Sequence, residues 1–126
     1  MKVLGFRELD YHHAPAGPSL RKAVRGQPHP QEPRILTYLR SGVCFAVCPM
    51  VVGDCLDPKR DMVSTAHCYT DGEWVWRGDV AWYVQEHHAE LPAEFINRME
   101  SLGWSVPALP QGRISEVETW WSSEQS

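Results

Sequence analysis

The sequence predicts an α+β domain: a short three-stranded antiparallel sheet packed with several helices. Three observations point there. Asp71-Gly72 lies between two runs rich in aromatic and β-branched residues, "MVSTAHCYT" and "EWVWR". Asp-Gly in that setting is a strong hairpin pattern, because a type I′ turn needs positive φ at both central residues. A third run, "VCFAVCPMVV", precedes them with apolar side chains on both faces, as in a buried strand. The third observation is apolar residues at helical spacing on either side, with capping residues before them and glycine or proline after.

Taken in order, Val3 to Leu9 reads as a first strand or a loose arm. "PSLRKAVRG" predicts a short helix with Ser19 as its cap and Gly26 just past its end. "QPHPQEP" has three prolines in seven residues and cannot be regular. "RILTYLRSG" spaces Ile35, Leu36 and Leu39 along one helical face, with Gly42 as the stop; its Ile, Thr and Tyr also suit a strand. The three strands are Val43–Cys48, Val63–Tyr69 and Glu73–Arg77. A two-residue loop sets Tyr69 across from Trp74 and His67 across from Trp76. Alternation then places Thr65, His67, Tyr69, Trp74 and Trp76 on one face, with Ala66, Cys68 and Val75 on the other.

Asp79 has the chemistry of a helix N-cap, and Val80, Tyr83, Val84 and His87 share a face of the helix that follows. Pro92 suits the first turn of the next helix. That helix aligns Phe95, Met99 and Leu102, and Gly103 terminates it. Ser115 with Glu118 resembles a capping box for a terminal helix bearing Trp120 and Trp121. One domain spans residues 1–126, with residues 1–33 and 104–126 as less regular arms.

Composition narrows the function. The chain has 126 residues, enough for one domain with its own core. Twelve basic residues against sixteen acidic ones leave a net charge of −4, unlike the basic footprint of a nucleic-acid binder. No apolar run reaches membrane-spanning length. The first residues carry Arg7, Glu8 and Asp10, unlike a signal peptide. A cytoplasmic protein with four reduced thiols is expected. Six tryptophans exceed what one small core needs, and surplus aromatic residues mark partner surfaces.

The chemistry-bearing residues are sparse. Cys44, Cys48, Cys55, His67 and Cys68 lie close in sequence, but C-x3-C on a strand separates Cys44 from Cys48 by roughly 13 Å. His67 and Cys68 point to opposite faces, so a zinc site is not expected and the thiols read as small buried side chains. Arg77-Gly78-Asp79 matches an adhesion tripeptide, yet Asp79 already has work as a cap. His12-His13 reads as an exposed loop pair. His87 and His88 diverge by about 100° on a helix and do not converge on one metal. No phosphate loop, dinucleotide fingerprint or nucleophile elbow is present, so no cofactor is expected.

The segment "TDGEWVWRGDVAWYVQEHHAELPAEF" resembles a recurrent pattern, TDGxWVWxGDxAxYV followed by LPxEF, in small and largely uncharacterised actinobacterial proteins. The resemblance runs from Tyr69 to Leu102, about a quarter of the chain, and implies no catalytic residue. It implies two settings: an immunity or accessory partner of a toxin, or a tailoring protein that shapes a flexible peptide in a natural-product pathway.

The leading expectation is a small non-catalytic binding protein. It recognises a peptide or protein, a second copy of the chain included, through Tyr69, Trp74, Trp76 and Trp82. The alternative is a small enzyme of peptide modification with His67 as its acid or base. A purely structural subunit comes third. The first two differ in shape: a binder leaves the aromatic face broad and shallow, whereas an enzyme encloses His67 in a pocket.

Overall fold

The computed structural model describes residues 1–9 and 17–125, without the side chains of 124 and 125; the His12-His13 pair lies outside the described residues. The chain is an α+β domain in which, among the described residues, a four-stranded mixed sheet and a separate two-stranded ribbon pack with five α-helices. Its strands are β1 (Lys2–Leu4), β2 (Val43–Ala46), β3 (Val51–Val52), β4 (Ser64–Thr65), β5 (Cys68–Thr70) and β6 (Trp74–Arg77). The helices are α1 (Leu20–Ala23), α2 (Glu32–Arg40), α3 (Asp79–His87), α4 (Ala93–Ser101) and α5 (Gln111–Gln125).

The expected three-stranded antiparallel sheet is corrected in two ways. The N-terminal segment joins as β1, parallel to β6, so the strand order is β1-β6-β5-β2. The predicted strand Val43–Cys48 stops at Ala46, and Val63–Tyr69 breaks into β4 and β5. β4 pairs with β3, which lies beyond the predicted first strand, as the small ribbon. Pro49 accounts for the stop, because it brings no N–H to a ladder. A bulge between Cys44 and Ala46 bends β2 just before it.

The predicted hairpin forms, but its register is two residues wider than a two-residue loop gives. Tyr69 pairs with Trp76 and Thr70 with Val75, rather than Tyr69 with Trp74. Only Gly72 of the turn dipeptide has positive φ, at 99°, so a type I′ turn is ruled out. Side chains close the wider loop instead. The Asp71 carboxylate accepts from the N–H groups of Glu73 and Trp74. The Thr70 hydroxyl donates to the Trp74 carbonyl and accepts from the Gly72 N–H. Shifting by two residues preserves parity, so Tyr69, Trp74 and Trp76 still share a face.

That face is the core. Phe95 of α4 sits at its centre with no exposure, 5.1 Å from Trp74, 5.8 Å from Trp76 and 5.8 Å from Tyr38 of α2. The Trp76 indole N–H donates to the Leu39 carbonyl. Gly42 is required here: a Cβ would lie 2.6 Å from the Trp76 ring. The opposite face is covered by α5, whose Val117 is fully buried. Arg113 ties that helix to the hairpin by donating to the Gly72 carbonyl at 2.8 Å.

The predicted less regular arms carry regular elements, β1 and α1 in one and α5 in the other. Leu4, Phe6, Leu9 and Leu20 join the core. The terminal helix starts at Gln111, four residues before the expected Ser115, which lies inside it. The other helices follow the sequence closely. Ser19 caps α1 by accepting from the Lys22 N–H. Pro92 precedes α4, and Gly103 ends it with φ of 66°.

Candidate functional site

The break in the long hairpin creates the surface of interest. Beyond the β2 bulge the chain runs outward through Val47, Cys48, Pro49 and Met50 before β3 begins. The His67 ring holds this excursion, its Nδ1 accepting from the Cys48 N–H at 2.8 Å. Ala66 N–H bonds to the Met50 carbonyl just beyond. The side chains of the excursion have no core to enter. Val47 is 77% exposed, Met50 61% and Val51 48%, and Met62 across the ribbon is 77% exposed.

Val47 and Met50 line a groove of about 630 Å³ between the sheet and α5. Its floor is made of small side chains, Ala46, Ala66 and Cys68. One wall is the Phe45–Trp121 pair, edge to face at 5.5 Å. Arg77 and Glu118 supply its charged groups. The strand beneath, β2, is an edge strand that pairs only with β5 among the described residues.

The predicted site residues distribute differently. Trp74 and Trp76 are buried in the core and form no open surface, so the broad aromatic face expected from their alternation is absent. The energetics of hiding two indoles explain this, each worth 150–250 Å² of surface. Tyr69 is half-buried beside Gly42 and Gly78. Trp82 is half-buried on α3, where its N–H donates to Asp54 at 2.9 Å and the Arg60 guanidinium covers its ring. It fastens the 53–61 loop to α3. His67 makes no ring contact with an aromatic side chain among the described residues. Its bonded Nδ1 splints a strand break, and none of the described cavities is lined by it together with a polar partner.

Arg77-Gly78-Asp79 is an internal pair rather than a tip. Asp79 is fully buried and bound bidentately by Arg77, at 2.9 and 2.7 Å. It therefore does not cap α3, whose cap position is Gly78. A second buried carboxylate, Asp54, accepts from Trp82 and the Leu56 N–H and contacts His87 Nε2 at 2.6 Å. Burial pushes its titration up, but these bonds outweigh it and hold it below the usual carboxylate range. Burial raises the Cys68 thiol to about 12 and also raises Cys55, so neither is a ready thiolate. No group of three or more His, Cys, Asp or Glu among the described residues is placed to hold a metal. No helix among them is long and apolar enough to cross a membrane.

Val47, Met50, Val51 and Phe45 were missed as site residues because "VCFAVCPMVV" reads as buried strand. Pro49 was the available signal, since a proline inside such a run marks an edge or a break. No protein-family model matches the chain, and neither a curated protein nor a solved structure shows significant similarity to it.

Proposed function

We propose that this protein is a non-catalytic binding module. Its occupant is an extended, apolar peptide segment of a partner protein, lying along β2 with one or more side chains in the groove under α5. The observation that carries this reading is the concentration of exposed apolar side chains. Of the five large ones among the described residues, four are Val47, Met50, Val51 and Met62, gathered around one strand break. Scattered exposed apolar residues need no explanation, but a contiguous group beside a groove marks an interaction surface.

An edge strand offers backbone hydrogen bonds to an added strand, and pockets for alternate side chains give it specificity. The floor of Ala46, Ala66 and Cys68 leaves room for an inserted side chain, and Met50 adapts its shape to what enters. Such a module fits an immunity or accessory protein acting in the cytoplasm, the first setting implied by the Thr70–Phe95 segment.

Selection of a random peptide display library on the purified protein tests the reading. Enriched peptides should carry apolar residues at alternate positions. Val47→Glu and Met50→Lys should each weaken their binding by about tenfold or more without lowering the melting temperature. No enrichment, or enriched peptides that bind both variants as tightly as the parent, would refute it.

A further inference from the structure

A second concavity lies across the sheet from the groove, where α2, the end of α3 and the start of α4 meet. It measures about 270 Å³, just below the roughly 300–1,000 Å³ of pockets for drug-sized ligands. Ile35, Val84, Leu91 and Ile96 give it an apolar floor, and His29 and His88 stand among its lining residues. Its two acids each have a partner. Arg25 is bonded to Glu90, and His88 Nδ1 lies 2.8 Å from Glu32 Oε1.

The two imidazoles are set in opposite senses. A carboxylate only accepts, so the Nδ1 facing Glu32 carries a proton, and in the neutral imidazole Nε2 is then an acceptor. His29 Nδ1 accepts the Gln31 N–H at 2.9 Å, which places its proton on Nε2 as a donor. No hydrogen bond engages either Nε2 among the described residues.

The backbone supplies an independent sign. His88 ends α3 in the left-handed region at φ 51°. Glycine is the usual residue there, and this chain uses it after α4, at Gly103. An imidazole held at a strained position beside a cavity points to use, since such strain gathers at ligand sites.

We propose that this pocket binds a small neutral amphiphile, its apolar body on Ile35, Val84 and Leu91 and a hydroxyl or amide head between His88 and His29. A group that both donates and accepts matches one free acceptor and one free donor. A carboxylate would lie near Glu32, whose charge a neutral His88 does not cancel.

Benzyl alcohol, toluene and benzoate serve as probes, titrated into isotope-labelled protein and followed by amide NMR shifts. Benzyl alcohol should shift the amides of Ile35, Val84, His88 and Ala89 saturably, with about five- to tenfold higher affinity than the other two. His88→Gly relaxes the backbone and should erase that preference while the protein stays folded. His29→Leu, on an exposed loop, should reduce the preference without touching a helix end, and decides the matter if His88→Gly fails to fold. Equal affinities for the three probes, no saturable shift at those amides, or a preference that survives the decisive variant would overturn the assignment.

Discussion

Among the described residues three carboxylates, Asp54, Asp71 and Asp79, are shut away from water, and each is answered by named donors. Asp71 receives the Tyr38 hydroxyl at 2.5 Å and the Arg98 guanidinium at 2.8 Å, besides two turn N–H groups. Removing one partner of such a pair leaves an uncompensated buried charge, which costs far more than a lost surface contact. Arg98→Met should therefore destabilise the fold by about 3–5 kcal/mol in denaturant titration. Asp79→Ala separates two readings of one residue. As a helix cap it would cost about 1 kcal/mol; as the buried partner of Arg77 it should cost about 3 kcal/mol or more. Sequence reasoning found that Asp79 matters to the structure but assigned the wrong donor. The spacing that suggested a cap equally suits Arg77, two residues earlier, and only the packing around β6 selects between them.

The elements themselves were largely legible, because local chemistry sets them. Ser19, Pro92 and Gly103 mark helix ends as their types predict. The hairpin was legible too, through Asp71-Gly72. Its register was not, because Arg98 and Tyr38, from distant elements, anchor Asp71 in a wider loop. A first strand is one of two readings of the N-terminal segment, but its parallel pairing carries no local signal, because its partner is over 70 residues away in the chain. Corners between elements are also set by distant residues. Gly42→Ala should destabilise by about 1–3 kcal/mol, since the Trp76 ring fills the space a methyl group would take.

The start of α1 carries a pH signature. Glu8 accepts from the N–H groups of Leu20 and Arg21 and from the Ser19 hydroxyl. Burial alone pushes Glu8 up, but these bonds outweigh it and lower its pKa from 4.5 to about 2. A carboxyl depressed by folding stabilises the fold above its unfolded value, and that contribution fades as pH falls through the folded one. The melting temperature of Glu8→Gln should lie below the parent's above pH 4.5, with the gap closing toward about pH 2. A constant gap across that window would mean that the charge of Glu8 contributes nothing.

Across the whole molecule, both faces of the sheet are covered, one by α2 and α4 and the other by α5. The aromatic surplus that suggested a binding face is largely absorbed by this arrangement: Trp74 and Trp76 build the core, Trp82 fastens a loop and Trp121 walls the groove. What remains for a partner is the strip the fold could not hide, at the break after β2. The sequence could not separate these roles, because an apolar strand residue looks the same whether a helix covers it or not. The most direct measurement pairs melting temperature with affinity for a display-selected peptide in two variants. Trp76→Ala should lose about 3–5 kcal/mol of stability as a core truncation, whereas Met50→Glu should melt like the parent and lose binding about tenfold or more. A Trp76→Ala protein that melts normally but no longer binds, with Met50→Glu binding unimpaired, would return the function to the aromatic face and contradict this account.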